Sequence, residues 1–200
     1  MKLISENLHI ISKSTKEAIL NRDEAFVRNL LKRQIDTNPD WIDLNIGPAK
    51  GAFAGTMKWL VDIVQSMTHI PLSLDSTNAD EITVGMALAK HPENWIINST
   101  NADEARLDKV TDIVSQYGCN VIALTMNSEL GIPKEADKRL ELAFEISAVS
   151  EAKGISNEKL YFDPLILPVC VDQTQALEAL NTIRTVSYTH LRAHETRSNL

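Results

Sequence analysis

The chain is poor in cysteine, glycine and aromatic residues, and each shortage removes a class of protein. Two cysteines in 200 residues, Cys119 and Cys170, stand far apart with no metal-ligand spacing. They exclude a disulfide framework or a thiolate zinc site and read as reduced packing residues in apolar, strand-like runs. Only seven glycines are present, and none forms G-x-G-x-x-G or G-x-x-x-x-G-K-[ST] after a strand, so the usual phosphate cradles are missing. Aromatic residues make up 5% of the chain, and Trp41, Trp59 and Trp95 fall on strand starts or helix faces, where packing explains them. No apolar run approaches the roughly 20 residues of a membrane span, and Met1–Glu6 lacks the apolar core of a signal peptide. The expectation is a cytoplasmic protein with no membrane partner. A net charge of -7 without clustered Lys and Arg argues equally against nucleic acid.

What is present is alternation. With 44% hydrophobic and 24% charged residues, the chain suits one sizeable core. Short apolar runs at about 2–6, 41–46, 71–75, 94–98, 119–125 and 160–163 are separated by stretches of helical spacing at about 15–35, 56–68, 79–90, 102–117, 135–153 and 172–185. That is β-α repeated six times. It predicts parallel strands joined by right-handed crossovers, which a doubly wound sheet and a barrel both satisfy.

The ends of the strands carry the chemistry. Asp75-Ser76-Thr77-Asn78 and Asn98-Ser99-Thr100-Asn101 are near copies, each after an apolar run and before a helical stretch. Around them, Glu6 and Asn7 close the first strand, Asp43 and Asn45 the second, Thr125 and Asn127 the fifth, and Asp163 the sixth. Residues of these types are also good helix N-caps, and Asp103 before the fifth helix reads as one. Asp43, Asn98 and Asp163 differ because they abut the last apolar residues of their strands. Pro164 holds Asp163 extended. Polar groups at the C-terminal strand ends favour a barrel over a doubly wound sheet. Ionised Asp accepts hydrogen bonds while Asn donates and accepts, so the pair suits a flat heterocycle rich in N–H groups and ring nitrogens.

Six segments carry a resemblance: Ile42-Asp43-Leu44-Asn45-Ile46-Gly47-Pro48-Ala49, Leu74-Asp75-Ser76-Thr77-Asn78, Ile97-Asn98-Ser99-Thr100-Asn101-Ala102, Leu124-Thr125-Met126-Asn127, Gly131-Ile132-Pro133-Lys134 and Tyr161-Phe162-Asp163-Pro164-Leu165-Ile166-Leu167-Pro168. In order and spacing they resemble the strand-end motifs of the pterin-binding methyltransferases, among them the methyltetrahydrofolate:corrinoid/iron-sulfur protein methyltransferases. The resemblance implies an α/β fold, a (β/α)8 TIM barrel of the pterin-binding type. It implies transfer of a methyl group from methyltetrahydrofolate to the cobalt of a corrinoid (cobalamin) carried by a partner corrinoid protein, with no metal held by this chain and a homodimer at full length. Carried over by position, Asp75, Asn98 and Asp163 hold the pterin, Asp75 and Asn98 stand closest to the chemistry, and Asp43, Asn45 and Asn127 supply supporting hydrogen bonds.

Two departures accompany it. A full barrel needs about 250 residues, and the helical spacing of the sixth unit ends near Val186, so the expectation is a barrel cut after about six β/α units. The family's further asparagine, which bonds the methylated nitrogen from the seventh-strand loop, has no counterpart here. Residues 187–200 are slightly basic, lack an apolar stripe and resemble a translated sequencing adapter; the expected domain is therefore 1–186. His190 and His194 stand four apart in that tail without a third ligand or an H-E-x-x-H frame, which argues against zinc. The alternatives are a dihydropteroate synthase-like enzyme, whose Arg-Pro second-strand ending is replaced here by Gly47-Pro48-Ala49, and a non-catalytic pterin-binding or inert fragment.

Overall fold

Segments of four to seven residues, most of them rich in leucine and β-branched residues, form the strands, and the longer amphipathic stretches between them form the helices. The computed structural model describes residues 2–166, 170 and 172–197, with side chains as far as Ser187. The chain divides into two compact units, one of Met1–Ser99 with Gln116–Asn120, the other of Thr100–Ser115 with Val121–Leu200.

In the first unit, β1 (Ile4–His9), β2 (Trp41–Gly47), β3 (Leu72–Ser76) and β4 (Ile96–Thr100) pair in parallel and in chain order. Side chains alternate between faces, so Ile42, Leu44 and Ile46 share one face of β2 and all three are fully buried. The connections are α1 (Lys13–Leu20), α2 (Glu24–Ile35), α3 (Thr56–Met67) and α4 (Ala79–Ala87). Met57, Leu60, Val61 and Val64 form a continuous buried stripe on α3. Each such side chain stabilises the fold by roughly 1.5–3 kcal/mol. Where the spacing predicts one helix over 15–35, the structure has two. Arg22 turns left-handed at φ 53, and Asp23 starts α2 by accepting the Phe26 N–H at 3.0 Å. The first strand also runs past Glu6 to His9, because pairing resumes after an irregularity between Ser5 and Leu8.

The second unit contains most of α5 (Glu104–Tyr117) and β5 (Asn120–Leu124), with α6 (Ala136–Ala152), β6 (Leu160–Asp163) and α7 (Thr174–Arg197). β5 and β6 pair in parallel, with Leu124 opposite Asp163. Ala102, Leu107, Ala123, Leu142 and Ile146 form a buried cluster, flanked by Val149 and Phe162. Arg139, fully buried, donates to the Pro133 carbonyl at 2.8 Å and to Gln175 Oε1 at 2.6 Å, tying the loop before α6 to α7. The backbone of α7 continues past Val186 to Arg197. The side chains of His190 and His194 lie outside the described residues. Cys119 is buried as expected; Cys170 is exposed, correcting its reading as a packing residue, because Pro164 ends the apolar run as a strand before it reaches the cysteine. No helix among the described residues is long and apolar enough to cross a membrane.

Candidate functional site

Paired positions in a parallel sheet present their side chains on one face, about 4.8 Å apart. The register places His9, Asn45, Asp75 and Asn98 side by side across β1 to β4. Asp43 lies one pair earlier on the same face, opposite Ser73. Four expected site residues, Asp43, Asn45, Asp75 and Asn98, therefore meet at the C-terminal ends of three adjacent strands.

Their hydrogen bonds run in two chains, both anchored on β2. Asn45 Nδ2 donates to Asp75 Oδ2 at 2.5 Å while its Oδ1 accepts the Gly47 N–H at 3.2 Å, so both ends of the amide are engaged and its orientation is set. Gly47 sits at φ 54, where a Cβ would strain the backbone and press Ile10 Cδ1 at 2.8 Å. Its carbonyl accepts from Ser76 Oγ at 2.6 Å, which fastens the end of β2 to the end of β3. In the second chain, Asp43 Oδ1 accepts from Ser73 Oγ at 2.5 Å and from Asn98 Nδ2 at 3.4 Å.

Asp43 is only 2% exposed. Burial pushes its carboxyl up to about 7, the bond from Ser73 opposes the rise, the Asp75 charge adds to it, the Asn98 bond opposes it, and Glu6 adds the last contribution. Glu6, read in the sequence as closing the first strand, thus acts on the same cluster. His9 is half-buried in the row; its Nδ1 accepts the Ser12 N–H at 3.2 Å, which leaves the ring proton on Nε2. Glu6, Asp43 and Asp75 bring three carboxyl groups to the row and its neighbours. Ionised carboxyl groups accept hydrogen bonds from N–H donors.

In the second unit, Asp163 closes β6. Its Oδ1 accepts the Leu165 N–H at 2.8 Å across Pro164, and its carbonyl accepts the Thr125 N–H at 3.0 Å, so backbone on both sides fixes the half-buried carboxylate. Asn127 shapes its own loop: Oδ1 accepts the Leu130 N–H at 2.8 Å, and its backbone bridges to Gly131. Asp103, expected as a helix cap, accepts the Arg106 and Leu107 N–H groups through its carbonyl. Its carboxylate instead takes the Ser128 N–H and Oγ and Asn101 Nδ2, at 2.7 to 2.8 Å, and the two Ser128 bonds, then the Asn101 bond, hold it below the usual carboxylate range.

Residues 12–198 match the family described as pterin binding enzyme. The chain is 25% identical over 174 residues to the methylcorrinoid:tetrahydrofolate methyltransferase of Eubacterium limosum, covering 86% of this chain and 63% of that protein. It is 26% identical over 190 residues to the methionine synthase of Mycobacterium leprae (strain TN), covering 90% of this chain and 15% of the relative. It therefore spans less than two thirds of the length of either. The crystal structure of 7,8-dihydropteroate synthase from Vibrio fischeri ES114 is similar with a TM-score of 0.55 at 13% identity, covering 83% of this chain and 62% of that one. That likeness shows the fold class, a parallel (β/α) barrel of the pterin-binding type, of which the described residues carry six β/α units.

Proposed function

The chain belongs to the pterin-binding enzyme family, and from that premise we propose that it exchanges a methyl group between methyltetrahydrofolate and the cobalt of a corrinoid held by a partner protein. One observation carries the reading. The in-register row brings Asp75 and Asn98 side by side, each hydrogen-bonded to a residue of β2. Ring N–H groups of a pterin are donors that such a row receives. Asp75 and Asn98 take one edge of the bicycle, and the 2-amino group and its adjacent N–H are assigned to Asp163. Asn45 holds Asp75, and Asn127 shapes the loop after β5.

The reaction makes a demand that this polar row meets in part. The C–N bond to the methyl breaks, the cobalt electron pair forms the new C–Co bond, and the ring nitrogen keeps its pair and takes a proton. A tertiary amine leaves poorly unless that nitrogen gains positive character, and fixed acceptors on the ring N–H groups favour the more positive ring. The reverse direction, the one named for the Eubacterium limosum relative, uses the same contacts.

The test is methyl transfer to free cob(I)alamin, followed by corrinoid absorbance, with the 200-residue chain and with the chain completed by the remaining β/α units of a relative. The reading predicts methylation by the completed chain, reduced at least about 100-fold by Asn98→Ala. Condensation of a pterin pyrophosphate with p-aminobenzoate in place of methylation would replace it with the synthase reading. Folate binding without transfer in either form would reduce it to a binding module.

A further inference from the structure

We propose that Asp43 is a positioning residue that never touches the substrate and instead fixes which end of the Asn98 amide faces the ring. The inference deepens the pterin reading and rests on it for the identity of the ligand. It begins with an asymmetry: Asn98 has a donor end and an acceptor end of nearly the same shape, and a site built to receive ring N–H groups works with only one of them turned outward.

Asp43 makes that choice. It is buried on β2, and Asn98 Nδ2 reaches its Oδ1 from two strands away at 3.4 Å. An ionised carboxylate accepts and never donates. Asn98 must therefore turn its NH2 toward β2, which leaves the carbonyl oxygen on the opposite branch of the amide as the end offered to a ligand. Turned the other way, its carbonyl would face the carboxylate lone pairs and the hydrogen bond would be lost. Ser73, donating to the same oxygen at 2.5 Å, holds Asp43 against rotation and stabilises its charge.

The charged groups that reach Asp43 are Glu6 from β1 and Asp75 from β3; β4 contributes the neutral Asn98. Both charges are negative, and together with burial they hold the carboxyl near neutrality, at about 7. A ring that brings N–H donors and positive character to Asn98 and Asp75 relieves this repulsion, so binding draws Asp43 into its ionised form and releases a proton. Affinity rises as pH rises through the titration of Asp43, the opposite of what a protonated anchor would give.

The experiment measures methyltetrahydrofolate affinity of the full chain by calorimetry from pH 5.5 to 8.5, in two buffers of different ionisation enthalpy, for wild type, Asp43→Asn and Ser73→Ala. Thermal unfolding establishes that each variant is folded. Wild type is expected to bind more tightly as pH rises through about 7 and to release a proton on binding. Asn at 43 can offer either a donor or an acceptor to Asn98, so Asp43→Asn should bind about 10-fold more weakly at pH 8 and lose both the inflection and the proton release. Ser73→Ala should keep the affinity at high pH and move the inflection upward. Folded Asp43→Asn with wild-type affinity and an unchanged pH profile overturns the inference and leaves the pterin reading intact.

A ligand-free readout separates the two claims. The side-chain amide NMR signals of Asn98, assigned with Asn98→Asp, should titrate with Asp43 in wild type and stay flat in Asp43→Asn. If no form binds the folate yet Asn98 titrates, the ligand is wrong and the coupling stands. If Asn98 is flat in wild type, the coupling is wrong.

Discussion

At the scale of single residues, the site is expensive for the fold, and Asp43 shows how. Its carboxyl, ordinarily at 3.8, is raised to about 7 by burial and by Asp75 and Glu6. The folded chain therefore holds this proton more tightly than the unfolded chain. Stability from this group is fully present below about pH 4, is lost as pH rises toward about 7 and stays lost above it. Asp43→Asn keeps the shape and removes the charge, so it should leave the Tm at pH 4 nearly unchanged and stabilise the chain at pH 8 by on the order of 1–3 kcal/mol. Unfolding by urea at both pH values checks this, and a variant no more stable than wild type at pH 8 refutes it. A substitution that stabilises the fold while weakening the ligand marks a residue kept for function. Asp75 and Asn98 were legible in the sequence because their tetrapeptides repeat after two apolar runs. The roles of Asp43 and His9 were not. A period of two cannot show which strand-end residue is sealed, nor that an irregularity in β1 brings His9 into register with Asn45.

At the scale of elements, the helix starts show the same division. Asp23 caps α2 from its own segment, and the Asp23–Phe26 spacing is visible in the sequence. α3 begins differently. Its N-cap, Gly55 at φ 71, has no side chain to accept a hydrogen bond, and the acceptor comes from α4: Glu81 takes the Gly55 N–H at 2.5 Å and the Met57 N–H at 3.1 Å. A carboxylate there also faces the positive end of the helix dipole. Glu81→Ala should cost about 1–2 kcal/mol of stability, read from the urea midpoint, without changing the folate affinity of the folded chain. An unchanged midpoint would mean that water replaces Glu81 at no cost. Nothing local announces this cap, because donor and acceptor lie more than twenty residues apart and meet only when α4 packs beside α3. Strand order was easier to read, since each parallel strand follows one helical crossover.

At the scale of the whole molecule, the alternation of six strands with helices limited the fold to a parallel α/β sheet or barrel, polar strand ends favoured the barrel, and only the resemblance of six segments made it a pterin-binding one. The C-terminal end was harder to read. Leu177, Leu180 and Ile183 recur every three residues along α7 and are 60%, 62% and 49% exposed, an apolar stripe that resembles a buried helix face in sequence and lies at the surface of the second unit. We further propose that residues 1–186 form the domain and 187–200 lie outside it, although the α7 backbone runs through the boundary. The central claim, that the strand-end row receives a pterin, is tested most directly by equilibrium binding of methyltetrahydrofolate to wild type, Asp75→Ala and Asn98→Ala at pH 8. Wild type should bind saturably, and each folded variant should lose about 10- to 100-fold in affinity. A folded wild type that ignores the folate, or variants that bind it equally well, would mean that the row does not receive a pterin.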